Sequence, residues 1–324
     1  DGAFDNYREF LRMQRPSDAD SLLAQRIRLY EQVVAEHPKS PQFHVNLAHI
    51  YVSSSLDPTM GDQSQSENLV RMAEEEYNKA LSIDPDAPFL HHWLGQYHLR
   101  ISHDYAKARE EFHQAGQLAR KEAIYPAAEA DALKVLADEQ QTSGQGEAKE
   151  NYSLALGLYA QAQELDPLGD YHSRIGSVYL AQHDYEKARD EFALATRPNK
   201  AAESWSSLGE AYFNERQYEQ GIDAFKQATC RDPHNWVYAN LLGVTYANKR
   251  QFSEARLAFE RASALSPTNP IPIAWLAIMD NEQGNPQACE ELARAIELAE
   301  KPGSGAGKEM VDRWKQEQGY WGCR

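Results

Sequence analysis

Histidine is the residue type in this 324-residue chain that first suggests chemistry, with eleven copies. His91, His92, His98, His103 and His113 fall in one short stretch, and imidazole is the commonest metal ligand. A zinc site needs ligands spaced to converge, such as H-E-x-x-H on one helix or paired C-x-x-C. Neither occurs. The histidines instead recur in phase: His44, His91 and His172 occupy the position that Trp205 fills in its own segment, and His98 occupies a recurring tyrosine position. A repeated structural slot, a flat half-polar ring between helices, accounts for them. Nucleophilic and phosphate chemistry find no support either. There is no G-x-S-x-G, no G-x-x-x-x-G-K-[ST] and no dinucleotide fingerprint. Gly303, Gly305 and Gly307 read as a hinge, and the sequon Asn151-Tyr152-Ser153 falls inside a predicted helix. The expectation is a protein that is not an enzyme, with no catalytic residues, no metal and no cofactor.

The elements that position these rings are clearest over 202–267. Trp205, Leu208, Gly209 and Tyr212 are followed by Tyr218, Gly221, Phe225, Ala228 and Pro233. The pattern then returns as Ala239, Leu242, Gly243 and Tyr246, then Phe252, Ala255, Phe259, Ala262 and Pro267. Gly209 to Gly243 is a step of 34 positions. Spacings of three and four put Trp205, Leu208 and Tyr212 on one face of a first helix and Gly221, Phe225 and Ala228 on one face of a second. Small residues let the two approach, and the aromatics fill the space between. Asp232-Pro233 ends the second helix, because the residue before proline is pushed out of helical conformation. One pair has too little core to stand alone; stacked pairs share a continuous one.

A fixed period of this length marks a repeat architecture, and these residues resemble the tetratricopeptide repeat family. The resemblance covers roughly 41–301 and implies an all-α, right-handed superhelical solenoid of helix–turn–helix repeats. The expected repeats are 41–85, 88–121, 125–167, 169–200, 202–233, 236–267 and 270–301. Residues 1–38 form a degenerate opening unit, in which Phe4, Tyr7 and Leu11 keep the first-helix spacing, Ser17 or Asp18 caps the next helix, and Ile27, Tyr30, Val33 and Val34 give an apolar stripe. Within 41–85 a polar insertion, about Ser53–Asn68, reads as a surface loop. The 88–121 unit has one extra residue in its turn and no closing proline, so its second helix is expected to run to about Glu122. Both helices of 125–167 are expected to be long. Pro198 shortens the 169–200 unit. In 270–301 Asp280 replaces the aromatic, which predicts a weaker helix contact. A capping helix, 305–318, should cover the open end with Met310, Val311 and Trp314, and Tyr320 and Trp321 are candidates to fold back.

The resemblance also implies where function resides. In this family first helices line a concave face, through residues three before and one, four and five after each Gly/Ala of the pattern. These are Val45, His49 and Val52; His92, Gln96 and Leu99; Lys134, Asp138 and Gln141; Ser173, Ser177 and Leu180; Ser206, Glu210, Phe213 and Asn214; Asn240, Val244 and Asn248; and Ala274, Ile278 and Asn281. The partner-binding candidates are Ser173, Ser177, Ser206, Glu210, Phe213, Asn214, Asn240, Val244, Asn248, Ile278 and Asn281. Amides and hydroxyls suit the backbone of an extended segment, and Phe213, Val244 and Ile278 add apolar contact. Lys, Arg and Asn do not recur on consecutive first helices, so clamping of a terminal carboxylate is not expected.

The predicted role is a protein-interaction scaffold or adaptor that holds a neutral or basic protein or peptide segment. Alternatives are a non-catalytic region of a larger enzyme or cell-envelope assembly complex, or a self-assembling scaffold. The formal charge of −16 argues against nucleic acid as a partner, and no apolar run reaches the ~20 residues of a membrane span. Cys230, Cys289 and Cys323 make no disulfide framework. Cys230 and Cys289 fall two units apart, and Cys323 is expected as a free thiol in a tail. A reducing, cytoplasmic compartment fits this. The chain begins at Asp1, so a secreted, periplasmic or anchored form stays open.

Overall fold

The computed structural model describes residues 19–56, 63–144, 146–196, 201–301, 304 and 306–323. Phe4, Tyr7, Leu11, Ser17, Asp18 and Pro198 lie outside them. Among the described residues there are sixteen α-helices and no strands. The chain divides into two compact units, 1–169 and 170–324. The first holds α1 (Ala19–Glu36), α2 (Pro41–Ser55), α3 (Gln63–Ile83), α4 (Pro88–Tyr97), α5 (Tyr105–Leu118), α6 (Ile124–Ser143) and α7 (Ala148–Leu165). The second holds α8 (His172–Ala181), α9 (Tyr185–Ala195), α10 (Ala202–Asn214), α11 (Tyr218–Arg231), α12 (Trp236–Asn248), α13 (Phe252–Leu265), α14 (Pro270–Glu282), α15 (Ala288–Ala299) and α16 (Lys308–Tyr320). Within each unit every helix packs on the one before and the one after it, as a stack of helix pairs requires.

The close approach inside a pair depends on one small residue and one ring. A Cβ built on Gly95, Gly176, Gly209 or Gly243 would lie 2.6–2.7 Å from the Cε1 of Phe112, Phe192, Phe225 or Phe259, respectively. These four rings are fully buried, so they have nowhere to move. Three pairs have alanine in the small position instead, and there the ring is different: Ala48 goes with Tyr77, Ala137 with Tyr159 and Ala277 with Leu292. Glycine thus accompanies phenylalanine, and alanine accompanies tyrosine or leucine.

A polar clamp accompanies the histidine slot. His44 Nδ1 lies 2.6 Å from Glu76, His91 Nδ1 2.7 Å from Glu111 and His172 Nδ1 2.8 Å from Glu191. Each glutamate sits just before the buried aromatic of its second helix. The Nε2 atoms of His44 and His91 each face the carbonyl of the proline ending the previous pair, Pro38 and Pro85, at 3.0 Å. Where the slot holds Trp205, Leu133 or Ala239, the glutamate position holds Ala224, Leu158 or Ala258. The rings are therefore structural, and they tie first helix to second through a charge-assisted bond. Trp205 is held differently, with the Arg231 guanidinium 4.8 Å over its ring.

Several sequence expectations need correction. The polar insertion is helical at both flanks: α2 runs to Ser55 and α3 starts at Gln63, with 57–62 outside the described residues. The helix expected to reach Glu122 ends at Leu118, with Ala119 as its C-cap. The extra residue of that unit is absorbed upstream, in a π-helical turn over His98–Ser102 at the end of α4. There the Asp104 amide reaches back six residues to the His98 carbonyl, whereas Asp184, Gln217 and Gln251 at the same point reach back five. Asp280 does not loosen its pair. It is 1% exposed and accepts from Arg256 Nε at 2.7 Å and Asn285 Nδ2 at 2.9 Å, so a buried charge network replaces the missing aromatic.

At the far end of the second unit, Val311 and Trp314 of α16 are buried against Ile273, Ala277 and Leu292, and Trp321 packs beside them. Met310 is 40% exposed and Tyr320 80% exposed, so neither covers the core. Cys323 is no free thiol: it is disulfide-bonded to Cys289, which pins the tail to α15. The free cysteine is Cys230. A disulfide is characteristic of oxidising compartments, so the cysteines no longer favour a reducing one.

Candidate functional site

In the second unit α8, α10 and α12 open a groove of ≈ 590 Å³, lined in part by Ser173, Ser206, Glu210 and Tyr238. Three of the predicted contact residues thus share one cavity. Its charges are Asp170, Glu203 and Glu210 against the single cation Arg174. Glu210 is half-buried and has no ion pair or side-chain hydrogen bond among the described residues. Burial pushes its carboxyl above the usual range, because an unpartnered charge is disfavoured where water is scarce. On α12 the Asn240 Oδ1 is buried without a donor. Glu210 and Asn240 are acceptors that the chain leaves unused.

The other predicted residues are placed less uniformly. The amides of Asn214 and Asn248 donate back to the carbonyls of Glu210 and Val244, both at 2.9 Å, leaving each side chain its oxygen and one N–H for a guest. Ser177 is bonded to the Arg174 carbonyl. Ser206 is 6% exposed and reaches the groove only by its edge. Val244 and Ile278 pack on the cluster of Phe259, Leu276 and Met279, so part of their apolar surface is already used. Phe213 rests near Tyr218, with ring centroids 5.7 Å apart. Asn281 is partly exposed.

The first unit has a groove of different character, ≈ 360 Å³, between α2 and α4. His49 and Val52 line one side, His92, Trp93, Gln96 and Arg100 the other. The rings interlock: His49 and Trp93 centroids are 4.4 Å apart and His92 and Trp93 5.9 Å. Burial lowers the pKa of both histidines, and for His92 the Arg100 charge adds to this, so both rings are neutral at pH 7. His49 Nε2 and His92 Nδ1 are buried without hydrogen-bond partners. Sequence reasoning placed His49 and His92 on this face but not among the contact residues. Their places on adjacent first helices, one after Ala48 and three before Gly95, were the available signal. Farther along, Lys134 is paired with Asp138 at 2.7 Å, and Asp138 and Gln141 accept from Tyr152. That stretch satisfies itself.

No group of three or more His, Cys, Asp or Glu among the described residues is placed to hold a metal ion. No helix among them is long and apolar enough to cross a membrane.

The family profile described as "Tetratricopeptide repeat" matches residues 206–270, within the two clearest pairs. No curated protein matches the sequence. Among solved structures, yeast Tom70 aligns with a TM-score of 0.61 at 15% identity, over 95% of this chain and 61% of its own. The chain thus spans about three fifths of Tom70. Pseudomonas aeruginosa PilF aligns with a TM-score of 0.53 at 15% identity, over 72% of this chain and 98% of its own. The C-terminal part of a TPR repeat-containing protein from Cytophaga hutchinsonii also gives 0.53 at 15% identity, over 76% and 95%. At these identities the likeness concerns the fold.

Proposed function

Starting from a chain built of tetratricopeptide repeats, we propose that it is a scaffold or adaptor whose first-helix face holds a segment of another protein, and that it performs no chemistry of its own. The observation that carries this is a pair of acceptors on consecutive first helices of the second unit that have no partner among the described residues: the half-buried Glu210 carboxylate, which borders the groove, and the buried Asn240 Oδ1 on the next first helix. Leaving such groups unpaired costs stability, and a guest that donates to them recovers that cost on binding. A neutral or basic segment supplies the donors. A lysine or arginine side chain satisfies Glu210, and a backbone amide satisfies Asn240. Ser173 and Ser206 border the same cavity, while Asn248, Ile278 and Asn281 extend the contact along the later first helices. Because the helices stand preformed, only the guest is ordered on binding.

The test is a display library of random peptides selected on the purified chain, followed by affinity measurements on the enriched sequences. Lysine or arginine should recur at one position, and Glu210→Lys should weaken binding at least tenfold, Asn240→Ala by a smaller factor. Enriched peptides indifferent to both substitutions would place binding elsewhere on the surface.

A further inference from the structure

The groove between α2 and α4 departs from the acidity of the molecule. The chain carries 49 Asp and Glu against 33 Lys and Arg, yet among the described residues no carboxylate lines this cavity and Arg100 does. Arg100 is exposed and makes no ion pair among the described residues. It lies within the π-helical turn His98–Ser102, and its neighbour Ile101 lines the same cavity. π-Turns are uncommon and tend to mark functional positions. Beside the guanidinium, the Trp93 ring is 39% exposed and braced on two sides by imidazoles. His49 Nε2 and His92 Nδ1 are in place with nothing bonded to them.

We propose that this groove binds a polypeptide segment in which an acidic side chain lies next to an aromatic one, with the carboxylate on Arg100 and the ring against Trp93. The charge complementarity is local: a cation with no ion pair among the described residues, in a wall otherwise built of rings, one amide and the aliphatic Val52 and Ile101. The site is separate from the Glu210 groove, takes the opposite charge, and stands or falls independently of it.

Proton uptake is a consequence. The charged groups facing His92 are few: Arg100 on its own helix, which disfavours its protonation, and neutral Tyr125 and Phe112 from the following helices. His49 faces Tyr77 from α3 and Trp93 from α4. Behind the lining, Glu74 accepts from the Tyr97 hydroxyl at 3.5 Å. A guest carboxylate offsets the Arg100 charge and favours imidazolium, so affinity rises as pH falls toward the histidine range.

The probe is a pair of capped decapeptides that differ at one residue, Asp-Phe or Lys-Phe at the centre, titrated calorimetrically onto the full chain. The Asp-Phe peptide should bind at least tenfold more tightly, and a few-fold more tightly at pH 6 than at pH 8. Arg100→Glu, an exposed substitution that leaves the core untouched, should cost at least tenfold, while Glu210→Lys should leave this binding unchanged. The proposal is overturned by equal binding of the Lys-Phe peptide, by binding indifferent to Arg100→Glu, by an oligothymidylate that outcompetes the peptide, or by no saturable binding of Asp-Phe up to about 1 mM.

Discussion

Replacing Gly209 with alanine tests how the helix pairs are held. By helix propensity alone the change should stabilise by about 1 kcal/mol, since Gly209 lies inside α10. The structure gives the opposite sign. The new Cβ would lie 2.7, 2.8 and 2.9 Å from Cε1, Cδ1 and Cζ of Phe225, against an ordinary carbon–carbon contact of about 3.5–4.0 Å. The ring must therefore retreat by roughly 1 Å, yet it is 1% exposed. Overpacking of this kind costs about 1–3 kcal/mol, so the net effect is a loss of about 1 kcal/mol. Gly157→Ala is the internal control. Gly157 also lies inside a helix, α7, where an added Cβ would meet nothing within 4 Å, so the substitution should gain up to about 1 kcal/mol. Phe225→Leu should rescue the first variant, because the chain itself pairs Ala277 with Leu292. Urea midpoints of the single and double variants give the coupling, expected at about 1 kcal/mol or more. If Gly209→Ala stabilises as much as Gly157→Ala, or if the double variant is additive, the ring-against-glycine account is wrong.

Other consequences follow from the same contacts. Reducing the Cys289–Cys323 bond, or replacing both residues with serine, should loosen α16; the sequence separation of 34 corresponds to about 4 kcal/mol in the chain-entropy view, read as a lower melting temperature under reductant. Glu210→Gln should raise stability at pH 7 while weakening the guest. The raised carboxyl pKa means the native state holds its proton longer than the unfolded chain, so stability falls as pH rises through that interval, and the amide removes the fall. His91 is raised chiefly by its bond to Glu111, so its contribution is full below the unfolded value of about 6.5 and lost as pH rises through the higher folded value. His49, His92 and His98 are lowered by burial; their contribution is present above about 6.5 and lost as pH falls toward their folded values. His91→Gln should therefore reduce urea stability at pH 6 more than at pH 8, whereas His98→Gln should flatten the acid-side loss.

The repeat was legible because its signals are local. Leu208-Gly209 and Ala228 with Asp232-Pro233 each report one helix face or one helix end, and their phase reports the stack. The agreement of glycine with phenylalanine, and of His44, His91 and His172 with Glu76, Glu111 and Glu191, is also written in the sequence, though it is visible only once the helices are set side by side. The disulfide was not legible. Cys289 and Cys323 meet because the tail beyond α16 turns back, which no spacing rule predicts. The helical reach of Gln63–Asn68 was hidden by polar residues that serve a helix surface as readily as a loop. Arg100 stands five positions after Gly95, a place the regular spacing puts on the concave face, and it was passed over; what counting on a regular helix does not foresee is Ile101 in the groove, which the π-turn brings there. Of the candidate contact residues, helical spacing suffices to put Ser173, Ser206 and Glu210 on one face, where they border one cavity. It gives no indication that Asn214 and Asn248 each spend one amide proton on their own helix.

The central claim is that the first-helix face carries the guest. A photo-crosslinking residue at Asn214 on α10, compared with one at the exposed Leu257 on α13, tests it directly with a peptide selected on the purified chain. The account predicts a covalent adduct from position 214, abolished by Glu210→Lys, and none from position 257. An adduct from 257 with none from 214 would contradict it.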